Sequence, residues 1–385
     1  MMITPSPLPV PLPFAGAVSG GLAAELQEAA RIAVEVSLKV KPDEQVLIIS
    51  NPETDVMLLA QAVYDAAYRA GACPVLLFQP VKNQLDFAEP AVIAAFAAKP
   101  DICVSLSAKK LGKDKQGILT PYIHKDTQYD HIFHLQMYGG QTCRGFWSPA
   151  TTLESFVRTV PIDYGLLKTR CAALKKTLDQ ALSVHITAPS GTDIHLGLRG
   201  REAKTDDGDF SKGGSGGNLP AGETFISPEN RTARGVIVFD GSISLYDSDI
   251  IIREPIRCTV EQGFITDIQG GSEARALLET VTLAERNALE YEKSGKLPAS
   301  TSETYRQNAR NIGEFGIGLN PSARITGHIL EDEKAFNTCH FAVGLNYDGD
   351  APSLIHLDGL VMNPTIRAFD KKGAATVIEQ DGKLL

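Results

Sequence analysis

Between Leu22 and about Ser155 the apolar positions recur first at helical and then at strand spacing, and this alternation is what a parallel α/β layer produces. Residues 24–40 read as an amphipathic helix stopped by Pro42, residues 45–50 (QVLIIS) as a largely apolar strand, and residues 55–69 as a second helix. A buried strand over 73–78 (CPVLLF), a helix over 90–97 and a strand over 102–107 follow. Three such strands with covering helices predict an open, mostly parallel sheet. The turn after the first strand, Asn51-Pro52-Glu53-Thr54, lacks the glycine patterns that let backbone amides cradle phosphate, so no nucleotide site is expected there.

Near Ser183 the texture changes. SVHITA and IHLGL, joined by Pro189-Ser190-Gly191-Thr192-Asp193, read as a hairpin. Residues 206–217 (DDGDFSKGGSGG) form the one low-complexity stretch and are expected to be a mobile loop without chemistry of its own. Strands are predicted over 235–240, 250–257 and 264–268, then one long helix over 273–293. The boundary is placed near Leu182, giving an α/β domain over 1–182 and a β-rich α+β domain over 183–385. Before both, Pro5, Pro7, Pro9, Pro11 and Pro13 break any helix, so the first 21 residues read as an extended arm packed on the surface.

Composition narrows the function. Of 385 residues, 43% are hydrophobic and 22% charged, the balance of a globular chain. Lys plus Arg number 37 against 46 Asp plus Glu, a net charge of −9, so neither nucleic acid nor an anionic membrane surface is an expected partner. No apolar run approaches the ~20 residues of a membrane span. Six cysteines, Cys73, Cys103, Cys143, Cys171, Cys258 and Cys339, stand without any Cys-x-x-Cys, which fits reduced thiols and a cytoplasmic location.

Chemistry concentrates in the second domain. His124, His131, His134, His185, His195 and His328 have no ligand pattern around them and read as structural or exposed. In Ile355-His356-Leu357-Asp358-Gly359, by contrast, His356 and Asp358 alternate with aliphatics, so on a strand both project to one face. Glu314 likewise faces away from Phe315 and Ile317, beside Gly316 and Gly318, which are expected to clear space around its carboxylate. His340 shares its face with Ala342 and Gly344. Ionisable groups on faces otherwise stripped of side chains need compensation when buried, and a divalent metal supplies it. Carboxylate and imidazole without thiolate favour Zn, Co, Mn or Fe, and more than four ligands would permit two ions.

The strings Asn218-Leu219-Pro220-Ala221-Gly222-Glu223-Thr224-Phe225, Ile312-Gly313-Glu314-Phe315-Gly316-Ile317-Gly318, Leu330-Glu331-Asp332-Glu333, His340-Phe341-Ala342-Val343-Gly344 and His356-Leu357-Asp358-Gly359 together resemble the M29 family of metallo-aminopeptidases, also called the aminopeptidase T family. The resemblance covers the second domain in motif order and, more weakly, the first. It implies an N-terminal α/β domain, a β-rich C-terminal domain with two divalent ions (Zn, Co or Mn), a homodimer and a small peptide substrate. The implied metal ligands are Glu223, Glu314, Glu333, His340, His356 and Asp358. Glu331 competes with Glu333, because the family's acid stands about five residues before the histidine and Glu333 stands seven before His340. Tyr347 falls where the family has a tyrosine implicated in catalysis.

The expected activity is therefore hydrolysis of N-terminal residues from short peptides, with Glu314 taking the proton of a metal-bound water and Tyr347 donating to the developing oxyanion. A second reading comes from the same superfamily, whose non-haem Fe(II) dioxygenases open dihydroxypyridine rings. His340, His356 and Asp358 could formally supply their two-histidine, one-carboxylate triad. In those relatives a histidine replaces the acid at the position of Glu314 and the acid at Glu223 is lost, so the two acids here weigh towards the dinuclear hydrolase. A metal-binding protein without catalysis is the third reading.

Overall fold

A computed structural model describes residues 21–83 and 86–385. The proline-rich arm, apart from Gly21, lies outside the described residues. The chain divides into two compact units, one of residues 1–161 with 209–219 and the other of residues 162–208 with 220–385. The Tyr164–Gln180 helix, which precedes the boundary expected near Leu182, belongs to the second unit.

In the first unit a five-stranded parallel sheet runs in the order Gly216–Asn218, Arg144–Trp147, Ile102–Leu106, Gln45–Ser50, Cys73–Phe78. The predicted α/β layer is present. Leu47, Ile49 and Cys103 of its strands pack with Val92 and Phe96 of the Pro90–Ala97 helix, burying the apolar stripe that spaced those residues in the sequence. The first helix spans Gly21–Ile32 and widens into a π-helical turn, Ala33–Ser37. It stops short of the expected Val40 because Lys39 enters the left-handed region at φ 48°. Arg144, 6% exposed, ties that turn to the sheet: its guanidinium donates to the carbonyls of Leu38 and Lys39 and pairs with Glu44.

Residues 206–217 are not loop throughout. Asp206 ends the Lys204–Asp206 strand, Gly216–Asn218 adds an edge strand to the parallel sheet, and Asn218 Nδ2 donates to the Trp147 carbonyl at 3.0 Å. The small residues that looked like linker material are what let a backbone approach the Arg144–Trp147 edge closely.

The second unit carries two sheets. A seven-stranded antiparallel sheet has the order Asp249–Ile251, Ser242–Ser244, His356–Met362, Thr338–Gly344, Ile312–Gly318, Glu223–Ile226, Lys204–Asp206. An eight-stranded sheet contains the expected hairpin of Ala181–Thr187 and Asp193–Gly197. The two sheets meet where Phe239 of the Arg234–Phe239 strand packs over Gly359. The single strand expected over 250–257 is two, Asp249–Ile251 and Ile256–Glu261, one in each sheet. Pro255, which has no N–H for a ladder, sits at the crossing. The long helix spans Ser272–Lys293 and buries Ala274, Leu277, Val281, Ala284 and Ala288, one face at helical spacing.

Candidate metal centre

Both faces of the Ile312–Gly318 and Thr338–Gly344 strands are buried. On one face Phe315 lies opposite Phe341, ring centroids 5.5 Å apart, within the apolar core. The other face carries the ionisable groups, in an order set by the register. Glu223 pairs with Gly318, Gly316 with His340, Glu314 with Ala342, Ala342 with Asp358, and Gly344 with His356. Each charged side chain thus faces glycine or alanine on a neighbouring strand, which leaves it room to lie across the sheet. The roles of the two glycines differ from those expected. Gly316 makes room for the His340 ring, and a side chain at Gly318 would run into the backbone of Lys334 and Ala335.

The result is a line of opposite charges. Glu223 Oε2 lies 3.3 Å from His340 Nε2, which lies 3.2 Å from Glu314 Oε1. Glu314 Oε2 is 3.7 Å from His356 Nε2, and His356 Nε2 is 3.3 Å from Asp358 Oδ1. Two groups of three ligand atoms, from Glu223, Glu314 and His340 and from Glu314, His356 and Asp358, have all their atoms within 4.8 Å of one another, and Glu314 is common to both. The line is closed at one end and open at the other. His340 is wholly buried, while the His356 side chain is 17% exposed.

Glu333 and Glu331 part company. Glu333 is tied by Oε1 to Lys334 Nζ at 2.6 Å, and Glu331 Oε1 accepts from the Arg324 backbone N–H at 2.9 Å, away from the imidazoles. Asp332 accepts from the backbone of Thr326 and Gly327 and from the Ser242 hydroxyl. The acidic run is therefore mostly a buried cap for its own loop. Tyr347, on the loop after the Thr338–Gly344 strand, sets its ring tilted 4.9 Å from that of His356 and edge-on 5.7 Å from that of Phe225. The residue is 54% exposed, but the charges of Glu314, Asp358, Glu333 and Glu223 reach its hydroxyl end. Burial of that end, reinforced by those charges, holds the phenol well above its ordinary value.

Sequence reasoning overlooked Lys334. Its side chain is wholly buried, with Nζ 2.5 Å from Glu223 Oε1 and 3.7 Å from Asp206 Oδ2. Burial alone would lower the ammonium's proton affinity, but Glu223, Glu333 and Asp206 outweigh it and hold the group charged. The available signal was a lysine directly after the acidic run.

The donors fit a divalent cation. Glu223 Oε2, Glu314 Oε2, Asp358 Oδ1 and His340 Nδ1 are buried and make no hydrogen bond. His356 Nδ1 lies 2.9 Å from the Leu345 carbonyl, the arrangement that puts the proton on Nδ1 and directs the Nε2 lone pair at the two carboxylates. Burial would lower both imidazoles, yet Asp358 and Glu314 push His356 up to about 10, and Glu314 and Glu223 push His340 up to about 9. Glu314 itself is raised by burial, partly offset by His340 and His356. Such a cluster calls for positive charge, which a cation supplies without a proton. Divalent metal binding is accordingly supported by both the donor set and its unmet valence.

Comparison with known proteins identifies the relatives. Residues 150–344 match the family NicX, 2,5-dihydroxypyridine 5,6-dioxygenase. A 2,5-dihydroxypyridine 5,6-dioxygenase of Pseudomonas putida KT2440 is 30% identical over 215 residues, 53% of this chain and 56% of that protein, so the chain matches just over half of its relative's length. The structure of a 2,5-dihydroxypyridine dioxygenase from the same organism superposes with a TM-score of 0.69 at 20% identity, covering 94% of this chain and 97% of that one. Wild-type AmpT from Thermus thermophilus gives 0.64 at 14% identity, over 95% and 100%. The AmpT likeness bears out the aminopeptidase T resemblance as a resemblance of fold. The expected aminopeptidase activity, and with it the assignment as a hydrolase and protease, is overturned by the family match and the 30% identical relative. The physical reason is that imidazole and carboxylate donors serve hydrolytic and redox metals alike, so ligand motifs alone do not separate the two chemistries. Among the described residues no helix is long and apolar enough to cross a membrane.

Proposed function

Because the chain belongs to the 2,5-dihydroxypyridine 5,6-dioxygenase family, we propose that it is a metal-dependent oxygenase that opens a dihydroxylated nitrogen heterocycle with dioxygen. The observation that carries this reading is that two imidazoles flank Glu314, His340 on its closed side and His356 on its open side, with Asp358 beside His356. His356 and Asp358 would hold the ion, with Glu314 beside them and His340 against the other oxygen of Glu314. Iron(II) suits this set, in place of the zinc, cobalt or manganese implied by the hydrolase resemblance. When bound, such an ion supplies the one-electron exchange with dioxygen that a spin-paired organic ring lacks.

The chain's own groups have definable tasks. Leu345 fixes the His356 ring through Nδ1, so Nε2 faces the centre. Asp358 stays ionised: burial would raise its carboxyl, but His356 and His340 hold it well below its ordinary value. Glu314 Oε2 makes no hydrogen bond, and burial raises the group's proton affinity, so it is placed to accept the proton of a substrate hydroxyl. The Tyr347 ring, exposed and set against His356 and Phe225, offers a flat wall to a planar substrate. Because His340 is wholly buried and His356 is not, substrate enters from the His356 and Tyr347 side.

The balance of a dioxygenase reaction provides the test. Both oxygen atoms enter the product while one ring bond breaks, so no external reductant is consumed. Iron(II)-loaded protein mixed with 2,5-dihydroxypyridine should take up one dioxygen per ring lost, followed by an oxygen electrode and by the ring's absorbance. Isotopically labelled dioxygen should place both labels in the product. Absence of oxygen uptake by fully loaded protein would refute the reading.

A further inference from the structure

Tyr347 stands on an irregular loop, residues 345–355, between the two strands that carry His340 and His356. A side chain on such a loop has many orientations open to it, and two ring contacts, with His356 and Phe225, do not by themselves fix the backbone beneath it. Two cations do. Asp348, the next residue, accepts from Lys204 Nζ at 2.5 Å through Oδ1 and from Arg201 Nη1 at 3.3 Å through Oδ2. Arg201 Nη1 also lies 3.0 Å from Asp350 Oδ2. We propose that Arg201, assisted by Lys204, is a positioning residue that latches this loop and so holds the Tyr347 ring as one wall of the substrate entrance. The proposal rests on the reading of Tyr347 as that wall and is independent of which metal the centre holds.

The sheet brings the two sides of the latch together. Lys204 lies on the edge strand Lys204–Asp206 opposite Phe225, which is opposite Gly316, itself opposite His340. Residues directly opposite one another share a face of a sheet. Lys204 therefore stands on the face of the charged line, next to the aromatic ring that Tyr347 touches. Arg201 belongs to the turn that leads into this strand, its N–H donating to the Leu198 carbonyl. On the loop side, Gly349 at φ 79° turns the chain between Asp348 and Asp350, and both acids reach the same guanidinium nitrogen. Asn346 ties the loop to itself: its side-chain amide donates to Asp350 Oδ1, and its side-chain carbonyl accepts from the Ala351 N–H. Tyr347 is thus flanked on both sides by anchored residues.

An isolated ion pair on a surface orders little. This one is neither isolated nor wholly at the surface. Lys204, Asp348, Arg201 and Asp350 form a chain of alternating charge, and the Arg201 and Asp348 side chains are only 11% and 23% exposed. Among the described residues neither cation pairs with a donor of the metal centre. Their influence on a bound ring therefore passes through Tyr347, and removing them should change how substrate is held while leaving the ion in place.

The test reads the ring and the kinetics separately. In protein carrying 3-fluorotyrosine, the fluorine resonance of Tyr347 is identified by its loss in Tyr347→Leu. With diamagnetic zinc bound, that resonance should lie away from the position of the free amino acid. Arg201→Gln should move it towards that position, and Arg201→Lys, whose one ammonium can serve both acids as Nη1 does, should restore it. In iron-loaded protein Arg201→Gln should raise KM for 2,5-dihydroxypyridine up to about tenfold, the limit set by losing the wall itself, with kcat within about a factor of two and metal affinity unchanged. In a Tyr347→Leu background the same substitution should add nothing. An unmoved resonance, an unchanged KM, a fall in metal affinity, or equal effects in the two backgrounds would overturn the proposal. Should Arg201→Gln fail to fold, Lys204→Met on the edge strand takes its place in both arms. Wild-type protein without turnover would remove the oxygenase reading, and the fluorine resonance would then decide the latch alone.

Discussion

Gly316 faces His340 directly across an antiparallel pair, and the imidazole fills the space that a side chain at 316 would take: a Cβ there would lie 2.0 Å from His340 Nε2. The neighbour is the working end of a buried ring, which can admit the methyl only by leaving its place between Glu223 and Glu314. Gly316→Ala should therefore turn His340 out of the centre and reduce metal affinity by at least about tenfold. Calorimetric titration of apo-protein measures the loss, and circular dichroism separates it from unfolding.

His356 and Asp358 sit on the face opposite Leu357, so truncating either leaves the apolar side intact. His356→Ala and Asp358→Ala should each weaken metal binding by roughly 10- to 100-fold or more while the far-ultraviolet spectrum is kept. Unchanged affinity in folded variants would take both residues out of the coordination set.

Glu314→Gln preserves shape and removes the proton acceptor. Because burial already raises the wild-type carboxyl, the neutral amide should not lower the stability of the metal-free chain. Ring opening by the iron-loaded variant should fall by about 100-fold or more. Comparing oxygen uptake with the thermal midpoint of the metal-free protein distinguishes the two effects.

Tyr347→Leu removes an aromatic wall that touches His356 and Phe225. Loss of stacking worth about 0.5–1.5 kcal/mol should raise KM for a planar ring up to about tenfold and leave kcat within a factor of a few. Steady-state kinetics on 2,5-dihydroxypyridine would show it, and a fall in kcat alone would assign the phenol a chemical role instead.

A pH dependence is built into the first unit. His131, 7% exposed, accepts from the Phe133 N–H through Nδ1, and its ring lies 5.9 Å edge-on to that of Phe96. Burial, with the nearby His134, pushes it down to about 4 from an ordinary 6.5. The folded state thus favours the neutral ring, and its contribution is fully present above pH 6.5. As pH falls through that value the unfolded chain binds the proton first, so stability is lost down to about pH 4. The gap between the two values corresponds to about 3 kcal/mol. His131→Asn keeps a side-chain acceptor for the Phe133 N–H and should flatten that part of the stability curve in urea titrations run between pH 4 and 7.

The strands at Ile312–Gly318, Thr338–Gly344 and His356–Met362 were legible in the sequence because small residues alternated with ionisable ones on one face and aliphatics filled the other. That alternation also brought Glu314, His340, His356 and Asp358 to one face before any coordinates. Two things were not legible. The Leu330–Lys334 run has no strand period, so nothing in its order tells which acid turns inward, and only the folded loop sends Glu331 and Asp332 to backbone N–H groups and Lys334 to Glu223. Nor does spacing between donors disclose the reaction, since the same imidazoles and carboxylates serve hydrolysis and oxygen chemistry.

The parallel sheet of the first unit takes its fifth strand, Gly216–Asn218, from well beyond the Pro161 at which the unit's main segment ends. A chain emerging from the ribosome has the other four strands in hand while that strand is still unmade. The Arg144–Trp147 edge, with its unpaired amides and carbonyls, then waits for about seventy further residues, which at 5–20 residues per second takes ~4–14 s. During that interval the nascent chain presents an open edge of the kind that recruits foreign strands, and closure by the glycine-rich segment ends the exposure before the strands that carry Glu314, His340 and His356 have left the ribosome.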